Sequence, residues 1–331
     1  MGRPTVSAAI RLLAATAGIL GLCLALPLAA EAQLAAKAYR IGVLWPGASP
    51  PPGSRMEWFR QGLRESGYVE GQNVVIELRY AEGGERLREL TGELVQSNVS
   101  VIATFGDLAP KMAQLATVAT PIIAVTNDFV GAGLVPSLAR PGGNITGVSI
   151  FAPELSAKRL ALLKEILPNL SRVAVLWDPA TPPQLRATED AARSLAVKLQ
   201  VLEVRGGEDL AGAFQAAKKG RAEALSVFAS PLLASLQQPI IALTAAHRLP
   251  AIYSLKEYAE AGGLVSYGPS LAAIWRQTAL MVAKILRGAK PGDLPVERPT
   301  KFELVINMKT AKGLGLTIPP SIRLQADQIV E

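Results

Sequence analysis

Short β-branched runs alternate with amphipathic helical segments along this chain, and that alternation confines it to a parallel α/β architecture. Residues 40–45, 73–79, 99–105, 121–126 and 145–150 read as one series of strands, and residues 172–177, 199–205, 224–228, 249–253 and 263–267 as a second. Between them, spacings such as Met56, Phe59, Leu63 and Leu160, Leu163, Leu167 place one apolar stripe on a helix. Those stripes cover the faces of a sheet.

The two series resemble each other in detail. Gly42-Val43-Leu44-Trp45-Pro46 opens the first and Ala174-Val175-Leu176-Trp177-Asp178 the second, each followed by a proline-rich turn into a helix. Gly83-Gly84-Glu85 is matched by Gly206-Gly207-Glu208, and Gly142-Gly143 by Gly262-Gly263. Two copies at so long a period indicate paired domains, not a solenoid.

After Tyr267 come a helix with the stripe Ile274, Thr278, Met281, Ile285, a turn at Pro291-Gly292-Asp293, and a strand over residues 302–306. The simplest path returns the helix to the first lobe and the strand to the second. The expected fold is therefore two Rossmann-like lobes with parallel sheets joined by a three-crossover hinge, with crossings near residues 148–151, 267–270 and 296–300. The lobes are expected to comprise residues 38–148 plus 270–296 and residues 149–269 plus 297–331.

Residues 1–32 read as a signal peptide cleaved near Ala32: Arg3 and Arg11 precede an apolar run from Leu12 to Leu26, and Ala30-Glu31-Ala32 supplies the small-residue site. The run falls short of the roughly 20 residues a bilayer span needs. Lipid attachment at Cys23 is an alternative, though Leu22 stands where a small residue is wanted, and Val6 breaks the myristoylation pattern. The expected compartment is the periplasm.

Cys23 is the only cysteine, so the exported chain has neither disulfides nor a thiol nucleophile. His247 is the only histidine and sits late in a helix beside Arg248, which removes a histidine triad, a multi-histidine zinc site and HExxH. No GxxxxGK[ST] loop occurs, Trp45-Pro46-Gly47 stands where GxGxxG belongs, and Gly263-Leu264-Val265-Ser266-Tyr267-Gly268 has the wrong spacing for GxSxG. No cofactor, no metal and no catalytic residue are expected; a carboxylate-only enzyme is the one catalytic alternative. The 34 basic and 27 acidic residues are interspersed, so the charge reads as a solvated surface without nucleic-acid binding.

Ligands of open parallel sheets bind beyond the carboxyl ends of the strands. Eight aromatics lie at or just past those ends: Trp45, Phe105, Phe129, Phe151, Trp177, Phe228, Tyr253 and Tyr267. Half of them are expected to pack against helices and the rest to line a cleft. Gly47, Ala48 and Ser49 form a loop able to aim N–H groups at an anion. Gly106-Asp107, Asn127-Asp128, Asp178 and Ser230 occupy the equivalent ends, where an aspartate either caps a helix or pairs with a ligand amine. The candidate ligand-binding set is Trp45, Gly47, Ala48, Ser49, Phe105, Gly106, Asp107, Asn127, Asp128, Phe151, Trp177, Asp178, Ser230, Tyr253 and Tyr267.

Several segments carry a family resemblance: residues 40–44; Gly67-Tyr68-Val69-Glu70-Gly71-Gln72-Asn73-Val74; Ala139-Arg140-Pro141-Gly142-Gly143-Asn144-Ile145-Thr146-Gly147; residues 257–268; and Arg323-Leu324-Gln325-Ala326-Asp327. Together they resemble the tryptophan/tyrosine-type ABC transporter substrate-binding family from about residue 39 onward. The resemblance implies a type I periplasmic-binding-protein fold and a small-molecule ligand held by the loops after Trp45, Phe105, Thr126 and Trp177 and near Tyr253. It also implies delivery of the ligand to an inner-membrane ABC permease with its ATPase, some relatives taking aromatic amino acids; the chain itself is expected to be a monomer. A sensory protein reporting to a membrane receptor is the competing reading. Phe105-Gly106-Asp107-Leu108-Ala109 and Phe228-Ala229-Ser230-Pro231 depart from the small polar and acidic residues often found in those loops of relatives.

Overall fold

A computed structural model describes residues 38–47, 53–150, 152–179 and 181–331; the expected leader, with Cys23, lies outside these. The first series of elements is β1 (Tyr39–Pro46), α1 (Gly53–Glu65), β2 (Val74–Ala81), α2 (Gly84–Gln96), β3 (Val101–Phe105), α3 (Leu108–Ala116), β4 (Ile122–Thr126) and β5 (Ile145–Ser149). The second is α4 (Ala152–Ile166), β6 (Arg172–Trp177), α5 (Pro182–Ser194), β7 (Lys198–Glu203), α6 (Asp209–Lys219), β8 (Ala224–Val227), α7 (Pro231–Ser235), α8 (Gln237–Ala246), β9 (Ala251–Tyr253), α9 (Lys256–Glu260) and β10 (Val265–Pro269). The chain ends with α10 (Leu271–Leu286), a short turn at Pro291–Asp293, β11 (Phe302–Asn307), α11 (Met308–Leu314), α12 (Pro320–Gln325) and β12 (Gln328–Val330).

Each series builds its own sheet, and the strand order repeats. The first sheet runs β2-β1-β3-β4-β5, and the second runs β7-β6-β8-β9-β10 before adding β11 and β12. Strands β1, β3, β4 and β5 pair in parallel, as do β7, β6, β8, β9 and β10. In both sheets the order reverses beside the first strand of the series, which creates the crevice at the carboxyl edge that this architecture uses for ligands.

Strand β11 departs from the all-parallel expectation: it runs antiparallel to β10, with Pro269 opposite Phe302. The path of the chain explains the direction. The segment preceding β11 enters at the carboxyl end of β10, where Ser270 N–H donates to the Lys301 carbonyl at 3.0 Å, so the new strand must run backwards along its neighbour.

The chain passes between the sheets three times. After β5 it enters α4, whose Leu160, Leu163 and Ile166 join the core of the second sheet. After β10 it enters α10, whose Ile274, Trp275, Met281 and Val282 fill the core of the first. On the return, Glu297 lies alongside β5, accepting from Ser149 N–H at 2.9 Å and donating to the Gly147 carbonyl at 2.8 Å. Three such tethers permit bending and resist free rotation.

Apart from its edge strand β2, the first sheet is buried on both faces, as parallel sheets are. The two-residue period of β1 sends Ile41 and Val43 to the face under α1 and α10, and Leu44 to the face under α2 and α3. Among the described residues, no helix is long and apolar enough to cross a membrane.

Candidate functional site

A cleft of about 270 Å³ opens between the carboxyl edges of the two sheets. One wall comes from the first sheet, where the β3–α3 turn and the end of β4 supply Asp107, Asn127, Asp128 and Gly131. The other comes from the second, where the first turns of α4 and α5 supply Pro153, Thr181, Pro182, Pro183, Gln184 and Arg186. The volume lies near the lower end of the roughly 300–1,000 Å³ typical of small-molecule sites.

The first wall is rich in acceptors. Asp107 heads α3, yet its carboxylate makes no cap bond there. It turns instead to the end of β4, accepting from the Thr126 hydroxyl, from Asn127 N–H at 2.9 Å and from Asn127 Nδ2 at 2.6 Å. Those bonds use the donors of the Asn127 amide and leave its Oδ1 buried with no hydrogen-bond partner, on a residue 8 % exposed. A buried acceptor left in that state costs about 1–3 kcal/mol, a cost that an incoming donor removes. Asp128 folds back on its own turn and accepts from Val130 N–H at 3.1 Å and Gly131 N–H at 2.9 Å.

The second wall has the opposite character. Helix α5 begins with Pro182 and Pro183, which carry no N–H, and the Gln184 N–H donates to the Thr181 carbonyl at 3.2 Å, so what this end of the helix offers the cleft is its positive dipole end. Exposed Arg186 adds a full positive charge one turn further on. The Gln184 side chain is fixed: its Nε2 donates to the Ala229 carbonyl at 2.7 Å, and its Oε1 accepts from Ala229 N–H and from the Ser156 hydroxyl, each at 3.1 Å.

Of the residues singled out in the sequence, Asp107, Asn127 and Asp128 meet in this cleft. Gly106 lies beside it in a left-handed conformation, φ 78°, where a β-carbon would stand 3.0 Å from Pro231 of the opposite lobe. Glycine there lets the two lobes touch. Trp177 donates its indole N–H to the Thr181 carbonyl at 3.4 Å, and the Asp178 carbonyl accepts from Thr181 N–H and Oγ1, so both support the turn into α5. Half-buried Tyr267 has its ring 6.4 Å from Phe302. Ala48, Ser49 and Phe151 lie outside the described residues.

Other candidates pack away from this cleft. Phe105, 4 % exposed, stacks on Trp275 with ring centroids 3.9 Å apart, and Trp45 closes the stack at 5.8 Å from Phe105, covered by the Arg55 guanidinium at 5.3 Å. Phe105 is thus the floor of the first lobe, and its neighbour Trp275 is a residue the strand-end rule had no means to find. Tyr253 is 0 % exposed, stacked on Tyr258 at 4.7 Å with its hydroxyl 3.0 Å from Thr244 Oγ1, and burial raises its pKa to about 12. It belongs to the core of the second lobe. Ser230 caps α7 by accepting from Leu233 N–H at 3.0 Å, and Gly47 N–H donates to the Ala81 carbonyl at 3.1 Å, so the Gly47 N–H is not left for an anion. Phe129 and Phe228 are also core residues.

Gln184, Arg186 and the Thr181–Pro183 turn were not singled out by sequence. The one signal for them is the paired proline directly after a buried strand, which fixes a helix start at the carboxyl edge. No group of three or more metal-ligating side chains occurs among the described residues.

The family model described as ABC transporter substrate binding protein matches residues 50–330. A tyrosine-binding protein of Clostridioides difficile (strain R20291) is 27 % identical over 279 residues, covering 82 % of this chain and 78 % of the relative. A solved ABC domain in complex with L-Trp from Streptococcus pneumoniae superposes with a TM-score of 0.82 at 26 % identity, over 88 % of this chain and 100 % of that one. A conserved domain protein of Vibrio cholerae gives a TM-score of 0.83 at 28 % identity, again over 88 % of this chain and 100 % of that one.

Proposed function

Because the chain belongs to the ABC transporter substrate-binding protein family, we propose that it is exported to the periplasm, captures an amino acid between its two lobes and hands it to a membrane permease. The observation that carries the choice of ligand is the opposed chemistry of the cleft walls. Asn127 Oδ1, buried and without a donor, stands with Asp107 and Asp128 on one side; the α5 amino end and Arg186 stand on the other. An α-ammonium suits the first wall and an α-carboxylate the second.

A ligand bridging both walls binds the closed arrangement better than an open one, and that difference drives closure. The bound amino acids of the Clostridioides and Streptococcus relatives support the same class here. Trp177, half-buried and bonded to the Thr181 carbonyl of the second wall, is the candidate to contact its side chain.

A thermal-shift panel of amino acids, aromatic acids and unrelated metabolites tests the reading. Ligand at about 100 times its Kd stabilises the native state by about 2.7 kcal/mol, an easily measured rise in Tm. Amino acids are expected to stand out from the panel. A folded protein that responds to none of them contradicts the proposal.

A further inference from the structure

Arg159, on the third turn of α4, is 0 % exposed. It has no carboxylate partner among the described residues; its Nη1 donates to the Tyr267 carbonyl at 3.1 Å, its Nη2 to Ser156 Oγ at 2.7 Å, and its Nε has no partner. Burial pulls its pKa down to about 9, which leaves the guanidinium charged at neutral pH. A lone buried cation is expensive, and packing alone would be served better by an apolar side chain of similar length.

Its hydrogen bonds lead to the cleft. Ser156 Oγ, which accepts from Arg159, donates to Gln184 Oε1 at 3.1 Å, and Gln184 lines the second wall. The chain of donors runs one way, from guanidinium to hydroxyl to amide. Each bond polarises the next, and positive character passes to the Gln184 NH₂ group. In the low-dielectric interior the charge behind it is weakly screened.

We infer that Arg159 is a positioning residue for ligand recognition: through Ser156 and Gln184 it holds the second wall positive, so that the site selects solutes bearing a carboxylate. The inference rests on the amino-acid reading above and adds the residue that enforces the anionic half. Sequence alone conceals it, since Lys158-Arg159 looks like an ordinary solvated pair on a helix.

The test titrates wild type, Arg159→Met and Arg159→Lys calorimetrically with L-tryptophan and L-tyrosine, and with their decarboxylated counterparts tryptamine and tyramine. Arg159→Met is expected to weaken the amino acids about tenfold or more and to leave the amines unchanged, while Arg159→Lys restores most of the affinity. No loss, or an equal loss for amino acids and amines, overturns the inference. Should Arg159→Met fail to fold, Ser156→Ala interrupts the same relay with the charge in place, and the same amino-acid-specific loss is expected. Should wild type bind none of the four, the choice of ligand fails separately, and the relay is judged without ligand. Pro183→Cys in a Cys23→Ala background places a single thiol on the wall, and adding Arg159→Met is expected to raise its pKa by about half a unit or more. An unchanged thiol pKa overturns the inference.

Discussion

Replacing Asp107 with alanine separates a ligand-organising carboxylate from a structural one. The carboxylate accepts three hydrogen bonds at the end of β4, from Thr126 Oγ1 and from the N–H and Nδ2 of Asn127. Bonds to a charged group contribute about 1.5–3 kcal/mol each where water is excluded. Asp107 itself is half-buried and the cleft admits water to the freed donors, so the summed loss of stability is expected to be only about 2–3 kcal/mol. Binding should suffer in addition. The Asn127 amide loses the contact that fixes its orientation, and the ammonium loses an opposite charge. Together these predict a 10- to 100-fold weaker Kd for an amino acid, about 1.4–2.8 kcal/mol. Calorimetric titration of the variant, beside its unfolding curve, reads both quantities. Wild-type affinity in a variant destabilised by this amount would refute the reasoning, because the carboxylate would then serve only to tie β3 to β4.

Three further outcomes follow from the packing. Gly106→Val sets a branched side chain against Pro231 of the facing lobe at a left-handed φ, so small-angle scattering should show a larger radius of gyration with ligand present, and the off-rate should rise; an unchanged radius contradicts the contact. At Gly147, with φ 152°, a β-carbon would stand 1.8 Å from the Ala124 carbonyl oxygen, so Gly147→Ala should part β4 from β5 and cost about 3 kcal/mol in denaturant unfolding, whereas a near-neutral result would show that the strands are not so close. Burial raises the Glu257 pKa, although Arg55 and Lys256 oppose the shift. The unfolded chain therefore loses this proton first as pH rises, and stability falls from the ordinary carboxylate range up to the raised native value. Glu257→Gln should flatten that fall in Tm above the ordinary carboxylate range, and parallel profiles for the two proteins would contradict it.

The layered architecture was legible because periodicity is a local property. β6 occupies the same residues, 172–177, that its alternation and flanking breakers indicate, and the repeated Leu-Trp motif indicated the two related copies, whose sheets share one strand order. β12 was illegible: Gln328, Ile329 and Val330 form a short, largely exposed edge with no alternation to read. The strand-end rule pointed to Asp107, Asn127 and Asp128, which the structure brings to one cleft, since carboxyl edges are defined by chain direction alone. It had no means to show that Phe105 and Tyr253 are buried in the lobes, because their partners Trp275 and Thr244 are set by tertiary packing. Nor did it point to Gln184 and Arg186 on the cleft wall or to buried Arg159. On a helix a polar residue announces only that it is polar, and whether it meets solvent, cleft or core depends on how the helix is rotated against its sheet.

A crystal structure of the protein with the amino acid that gives the largest thermal shift tests the clamp most directly. The ammonium is expected within hydrogen-bonding distance of Asn127 Oδ1, beside Asp107, and the carboxylate against Gln184 and Arg186 at the start of α5. A ligand held elsewhere, or held with its two ends exchanged, would contradict it.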